Sequence, residues 1–177
     1  IDRKRVRELK KAIDSTYEVT NKKDLLNKNL VFSSQTKILR QANVFIITVP
    51  TPIKKNNKPD LSKINNAAKI IGSVMQKGAI VVLESTVYPG VTENYLVPLI
   101  VKASNLKYKK DFFVGYSPER INPGESRYKL SNIKKVVAAD TVSTLKKLSK
   151  IYKSIIKVGV HEVSSIRVAE ASKAIEN

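Results

Sequence analysis

The chain has 177 residues, 42% hydrophobic and 27% charged, which gives it enough apolar material for one folded core and excludes a chain disordered by composition. It has no cysteine and a single histidine, so disulfides, thiol catalysis and a Cys- or His-built metal centre are excluded within these residues. No apolar run approaches the roughly 18 residues that cross a bilayer, while the net charge of +18, from 33 Lys plus Arg against 15 Asp plus Glu, raises the question of polyanionic partners.

In chain order, Val6, Leu9 and Ile13 recur at helical spacing and predict a helix over Arg3–Ile13. Asp24–Lys28 reads as a short helix, Leu30–Ser33 as a short strand and Thr36–Gln41 as a helical turn. Asn43–Val49 (NVFIITV) is a nearly continuous β-branched run, which suits a strand covered on both faces in a parallel sheet. Leu61–Lys77 is an amphipathic helix, with Ser62 or Asp60 as its cap and Gly78 just past its end. Ala79–Leu83 (AIVVL) is a buried strand. Val91–Ala103 reads as a helix kinked at Pro98. Phe112–Tyr116 and Lys135–Ala139 read as strands, Thr141–Lys153 as a helix, Ile155–Val158 as a last short strand and Ser164–Asn177 as a helix. Strand and helix alternate, which predicts a doubly wound α/β fold on a parallel sheet.

Three polar, proline-bearing loops follow three predicted strands: PTPI at Pro50–Ile53, STVYPG at Ser85–Gly90 and SPERINPG at Ser117–Gly124. Right-handed crossovers carry the ends of parallel strands to one sheet edge, where open α/β sheets bind ligands. Thr51, Ser85 and Thr86 offer hydroxyls suited to ribose and pyrophosphate. Glu119, Arg120 and Asn122 offer charge and an amide suited to a phosphorylated or carboxylated sugar. Near the end, Lys173 and Asn177 lie four apart on one helix and share a face, where a lysine can polarise an oxygen and an amide can hold a water.

Each piece also has a structural reading. The prolines fit ordinary turns, Ser85-Thr86 a capping pair, Glu119-Arg120 a surface ion pair, and Lys173 a solvated lysine on a basic chain. His161 carries no assigned role. The lysines are spread along the chain with no aromatic interleaving, so no nucleic-acid partner is expected; a basic nucleic-acid-binding module remains the rival of another class.

Taken together, the words FIITVPTP (Phe45–Pro52), PDL (Pro59–Leu61), ESTVYPG (Glu84–Gly90), FFVGYSPERINPG (Phe112–Gly124) and AEASKAIEN (Ala169–Asn177) resemble the UDP-glucose/GDP-mannose dehydrogenase family. The resemblance is nearest its UDP-N-acetylhexosamine 6-dehydrogenase branch, with UDP-glucose 6-dehydrogenase as the alternative. It implies a Rossmann-like sheet over residues 1–163, the start of a central connecting helix over 164–177, and NAD as cofactor. The implied reaction uses two NAD to take the C6 alcohol of a UDP-sugar to a carboxylate, with a cysteine holding the aldehyde as a thiohemiacetal, for surface polysaccharide synthesis. By matching position, Arg5 and Thr51 would contact the adenosine side of NAD and Thr86 its nicotinamide end, with Ser85 beside them. Arg120 and Ile121 would touch substrate, and Glu119 would line the reaction pocket. Lys173 would stabilise the developing oxyanion, and Asn177 would bind substrate or position water.

The resemblance also predicts what is missing. The family opens with a strand and a GxGxxG turn at a helix N-terminus, and its cysteine lies downstream; neither occurs here. Ile1 is no natural start, so the chain is expected to be an incomplete Rossmann-like piece, inactive by itself, of a cytoplasmic, homodimeric parent. A scaffold or regulatory remnant would read the same.

Overall fold

The structure is a computed structural model and describes residues 2–17, 19, 21–119 and 133–176. The chain forms two compact units, Ile1–Arg40 and Gln41–Asn177.

The first unit opens with α1 (Arg3–Lys10), whose first turn is capped by the Asp2 carboxylate accepting from the Lys4 and Arg5 amides. Helix α2 is a single turn, Lys22–Leu25, capped by Asn21. The strand expected at Leu30–Ser33 does not form among the described residues. Val31 is exposed, and the segment has no ladder partner there, so β propensity alone does not make it a strand. A 3-10 turn, Thr36–Gln41, follows.

The second unit is built on a five-stranded sheet in sequence order: β1 (Val44–Ile47), β2 (Ala79–Leu83), β3 (Phe112–Tyr116), β4 (Lys135–Ala139) and β5 (Val160–Glu162). β1, β2 and β3 pair in parallel, with Phe45 opposite Val81 and Val81 opposite Val114. β4 runs antiparallel to β3, and β5 parallel to β4, so the sheet is mostly parallel and not wholly so. Burial patterns such as KVVAA report cover, not direction.

Every residue of β2 is buried, as a central strand requires. Ile80 and Val82 join Val137, Leu148, Tyr152 and Ile156 in one core cluster, which seats α5 (Val142–Lys153) on the sheet. Helix α3 (Ser62–Val74) buries Ile64, Ala68 and Ile71, one stripe at helical spacing, and packs on α4 (Val97–Ser104). Its entry is held by Asp60 Oδ1, which accepts from the Ser62 amide at 2.9 Å. A Cβ at Gly72 would lie 2.6 Å from Ala103 Cβ, so only glycine lets α3 and α4 approach this closely.

The kink expected at Pro98 takes a specific form. One π turn, Thr92–Leu96, precedes α4, and the Val97 amide bonds the Thr92 carbonyl five residues back. This wide turn leads into Pro98 in the first turn of α4, where its missing N–H removes no bond the helix needs. The last strand lies at Val160–Glu162, past the expected Ile155–Val158. The Ile156 amide still bonds Tyr152 O in helical fashion at 2.8 Å, and Gly159, at φ 85°, turns the chain into β5. Helix α6 (Ile166–Glu176) ends the described chain and packs on β3 and β4.

Asp140, just after β4, ties β3 to β4: its Oδ2 accepts from the Val114 amide at 2.8 Å and its own amide donates to Val114 O at 3.1 Å. Its Oδ1 is buried with no partner among the described residues. Burial is the main influence and raises its pKa, outweighing the Val114 and Thr144 hydrogen bonds that lower it. A raised native value means the native state holds the proton more tightly than the unfolded chain. This group therefore subtracts stability as pH rises from the ordinary aspartate value, about 4, through its native value. Asp140→Asn keeps the shape and removes the titration. In paired thermal melts at pH 4 and pH 7, wild type should lose stability relative to the variant at the higher pH. A gap that is flat or moves the other way would contradict this assignment.

Candidate functional site

Parallel β1, β2 and β3 end at one sheet edge, and the loops beyond them lie side by side. Their ladders run past the strands: Glu84 N–H donates to Ile47 O at 2.9 Å and Ser117 N–H to Leu83 O at 3.1 Å. Side chains then cross-link the loops. Thr51 Oγ1 donates to Thr86 O at 2.7 Å, Ser85 Oγ to Val49 O at 2.6 Å and Tyr116 Oη to Ser85 O at 3.3 Å. A cleft of about 350 Å³ opens between them, with Pro50, Thr51, Glu84, Ser85, Thr86 and Glu119 on its walls. The structure thus brings together Thr51, Ser85, Thr86 and Glu119.

The hydroxyls differ from expectation in one respect. Thr51 and Ser85 give their protons to protein carbonyls, so toward a ligand they can act only as acceptors.

Behind the cleft lies a charged cluster that the sequence did not reveal. Lys135, at the start of β4, is only 4% exposed. Its Nζ lies 3.3 Å from Glu84 Oε2, 3.5 Å from Glu119 Oε2 and 3.2 Å from Pro118 O. Tyr152 Oη donates to Glu84 Oε1 at 2.5 Å. Burial first, and Glu84 second, push the Tyr152 hydroxyl well above the usual phenol range, so it remains a donor. Glu84 stands at the head of ESTVYPG and could have been noticed as a charge closing an apolar strand. Lys135 gives no such signal among 33 basic residues.

The third part is α6. Lys173, expected to be either functional or solvated, is 7% exposed and has no hydrogen-bond or ion-pair partner among the described residues. One turn earlier, Glu170 is fully buried. Its carboxylate accepts from the Gly90 amide at 2.5 Å, the Thr92 amide at 2.8 Å and the Thr92 hydroxyl at 2.7 Å. Gly90 takes φ 99°, a turn that glycine adopts without strain. Glu170 thereby holds the end of the Ser85–Gly90 loop and the entry to the π turn.

Arg5 belongs to the first unit, and its guanidinium is engaged there. It pairs with the Asp14 carboxylate and donates to Ser15 Oγ at 3.1 Å and Thr16 Oγ1 at 3.0 Å. The Thr16 hydroxyl, the Val19 amide and Arg5 together hold the Asp14 carboxyl well below the usual range. Arg120, Ile121 and Asn177 lie outside the described residues. No helix among the described residues is long and apolar enough to cross a membrane.

A mostly parallel sheet whose strand-end loops enclose a cleft defines an α/β protein of the nucleotide-binding kind. Residues 1–156 match the NAD binding domain of the UDP-glucose/GDP-mannose dehydrogenase family, and the chain belongs to that family. It is 47% identical over 177 residues to UDP-N-acetyl-D-glucosamine 6-dehydrogenase of Pseudomonas aeruginosa and 49% identical over 177 residues to Protein CapL of Staphylococcus aureus. In both cases all of this chain matches 42% of the relative, so it spans less than half the length of these relatives. Among solved structures it is similar to UDP-D-ManNAc dehydrogenase from Pyrococcus horikoshii, at 27% identity and a TM-score of 0.88, covering 99% of this chain and 42% of that one.

Proposed function

We propose that this chain forms the cofactor side of an NAD-dependent 6-dehydrogenase acting on a UDP-N-acetylhexosamine, and that residues 164–177 begin the helix joining it to the rest. The observation that carries this reading is the single cleft in which the loops after β1, β2 and β3 set Thr51, Ser85, Thr86 and Glu119. Its volume lies in the range of small-ligand sites, and its hydroxyl oxygens suit the donor hydroxyls of a ribose.

Bound NAD supplies the hydride acceptor. The protein's own groups do the rest. Thr51, Ser85 and Thr86 orient the cofactor, while Arg120 and Ile121 hold the sugar nucleotide. Glu119 lines the reacting end. Lys173 places a cation beside the oxygen that gains negative charge at C6, and Asn177 positions substrate or water. A cytoplasmic, homodimeric whole protein that supplies surface-polysaccharide synthesis belongs to the same reading.

The test is an NADH assay of the whole protein containing this chain, with UDP-N-acetyl-D-glucosamine, UDP-N-acetyl-D-mannosamine and UDP-glucose. Two NADH per molecule of one UDP-N-acetylhexosamine are expected, with UDP-glucose the poorer substrate. A preference for UDP-glucose would move the chain to the other branch of the family. No NADH with any of the three would end the reading.

A further inference from the structure

We propose that Lys135 is a positioning residue that fixes Glu119 at the cleft by tying it to Glu84; the catalytic part of this inference rests on the function proposed above. Lysines are almost never buried without partners, and Lys135 is 4% exposed. An ammonium has three protons to give. Here three oxygens lie within reach, Glu84 Oε2 at 3.3 Å, Pro118 O at 3.2 Å and Glu119 Oε2 at 3.5 Å. The Tyr152 ring packs beneath the ammonium, 5.7 Å from its centroid, and the Tyr152 hydroxyl takes the other Glu84 oxygen.

The geometry separates the two carboxylates by task. Glu84 has both oxygens engaged, one by β4 and one by α5, and serves as the anchor. Glu119 is 44% exposed in its side chain and stands on the cleft wall. A buried ion pair with Glu84 alone would satisfy the need for charge balance. The other two contacts go instead to Glu119 and to the carbonyl immediately before it. Lys135 thus joins three strand ends: β2 through Glu84, the β3 loop through Pro118 and Glu119, and β4 through its own backbone. Holding a loop side chain in one rotamer matters at a reacting group, because its misplacement is costly in rate.

Two measurements test this. The first is independent of substrate: amide exchange of Ser117 and Glu119 by NMR in this chain. Lys135→Met should speed both by at least about tenfold, with the β2 amides unchanged. Because that variant leaves Glu84 uncompensated, Lys135→Met with Glu84→Gln provides a second, charge-balanced background in which the same increase is expected. The second is a kinetic cycle in the whole protein. Lys135→Met should lower kcat by about 10–100-fold while leaving KM for NAD within about twofold, and should add nothing in a Glu119→Gln background. Unchanged exchange, or kinetic losses that simply add, would overturn the proposal. A wild-type protein that produces no NADH from any UDP-sugar would remove the functional reading, and the exchange result would then decide by itself whether Lys135 pins the loop.

Discussion

Replacing Glu170 with alanine is expected to cost the fold about 3–5 kcal/mol, because it strips the acceptor from three buried hydrogen-bond donors. Three donors converge on this carboxylate, two of them backbone amides, and all lie in the interior. Alanine leaves them without an acceptor, and a buried unsatisfied donor costs about 1–3 kcal/mol. A domain of this size has about 5–15 kcal/mol in total, so the variant should stand near the edge of folding. Glu170→Gln retains one acceptor oxygen but turns an NH2 toward the remaining donors, so it should fall between alanine and wild type. Urea denaturation of the three proteins, with equal slopes, reads the order directly. A loss below 1 kcal/mol for alanine would mean that the Ser85–Gly90 loop is held by something other than α6.

The second large effect should appear in rate and not in stability. Lys173→Met keeps most of the apolar stem and removes the ammonium. In the whole protein, kcat for the UDP-N-acetylhexosamine should drop by about 10²–10³-fold, the usual loss when one donor to a developing oxyanion is deleted. The same variant should melt close to wild type, because Lys173 has no hydrogen-bond or ion-pair partner among the described residues and methionine keeps most of the apolar stem that is buried there. Rate measurements and thermal melts on one preparation separate the two. A kcat within threefold of wild type would remove Lys173 from the reaction.

Much of the second unit is legible in the sequence. β2, β3 and β4 fall where the short, mostly apolar runs place them, because burial on both faces leaves little room for polar residues. The direction of β4 is not legible, since an apolar strand looks the same from either end. Ile155–Val158 misleads for a related reason: Ile156 is buried as the continuation of a helix end, and a short apolar stretch does not say which element owns it. The loop residues of the cleft are legible because their position after strands fixes where they meet. Lys135 and Glu84 are 51 residues apart, and only the sheet brings them together. Arg5 shows the converse. The family resemblance alone marked it for the cofactor, and nothing in the sequence pattern announced that Asp14, Ser15 and Thr16, close by in the chain, engage its guanidinium.

The inward-turned hydroxyls of Thr51 and Ser85 have a consequence for how a ligand is oriented. With Glu84 and Glu119 beside them, they make one wall of the cleft rich in lone pairs and poor in protons. The molecule as a whole, at +18, attracts phosphate from a distance. At close range that wall repels phosphate oxygens and welcomes sugar hydroxyls. On the function proposed above, the far field would set the encounter with a sugar nucleotide or dinucleotide, and the wall would set which way round it lies.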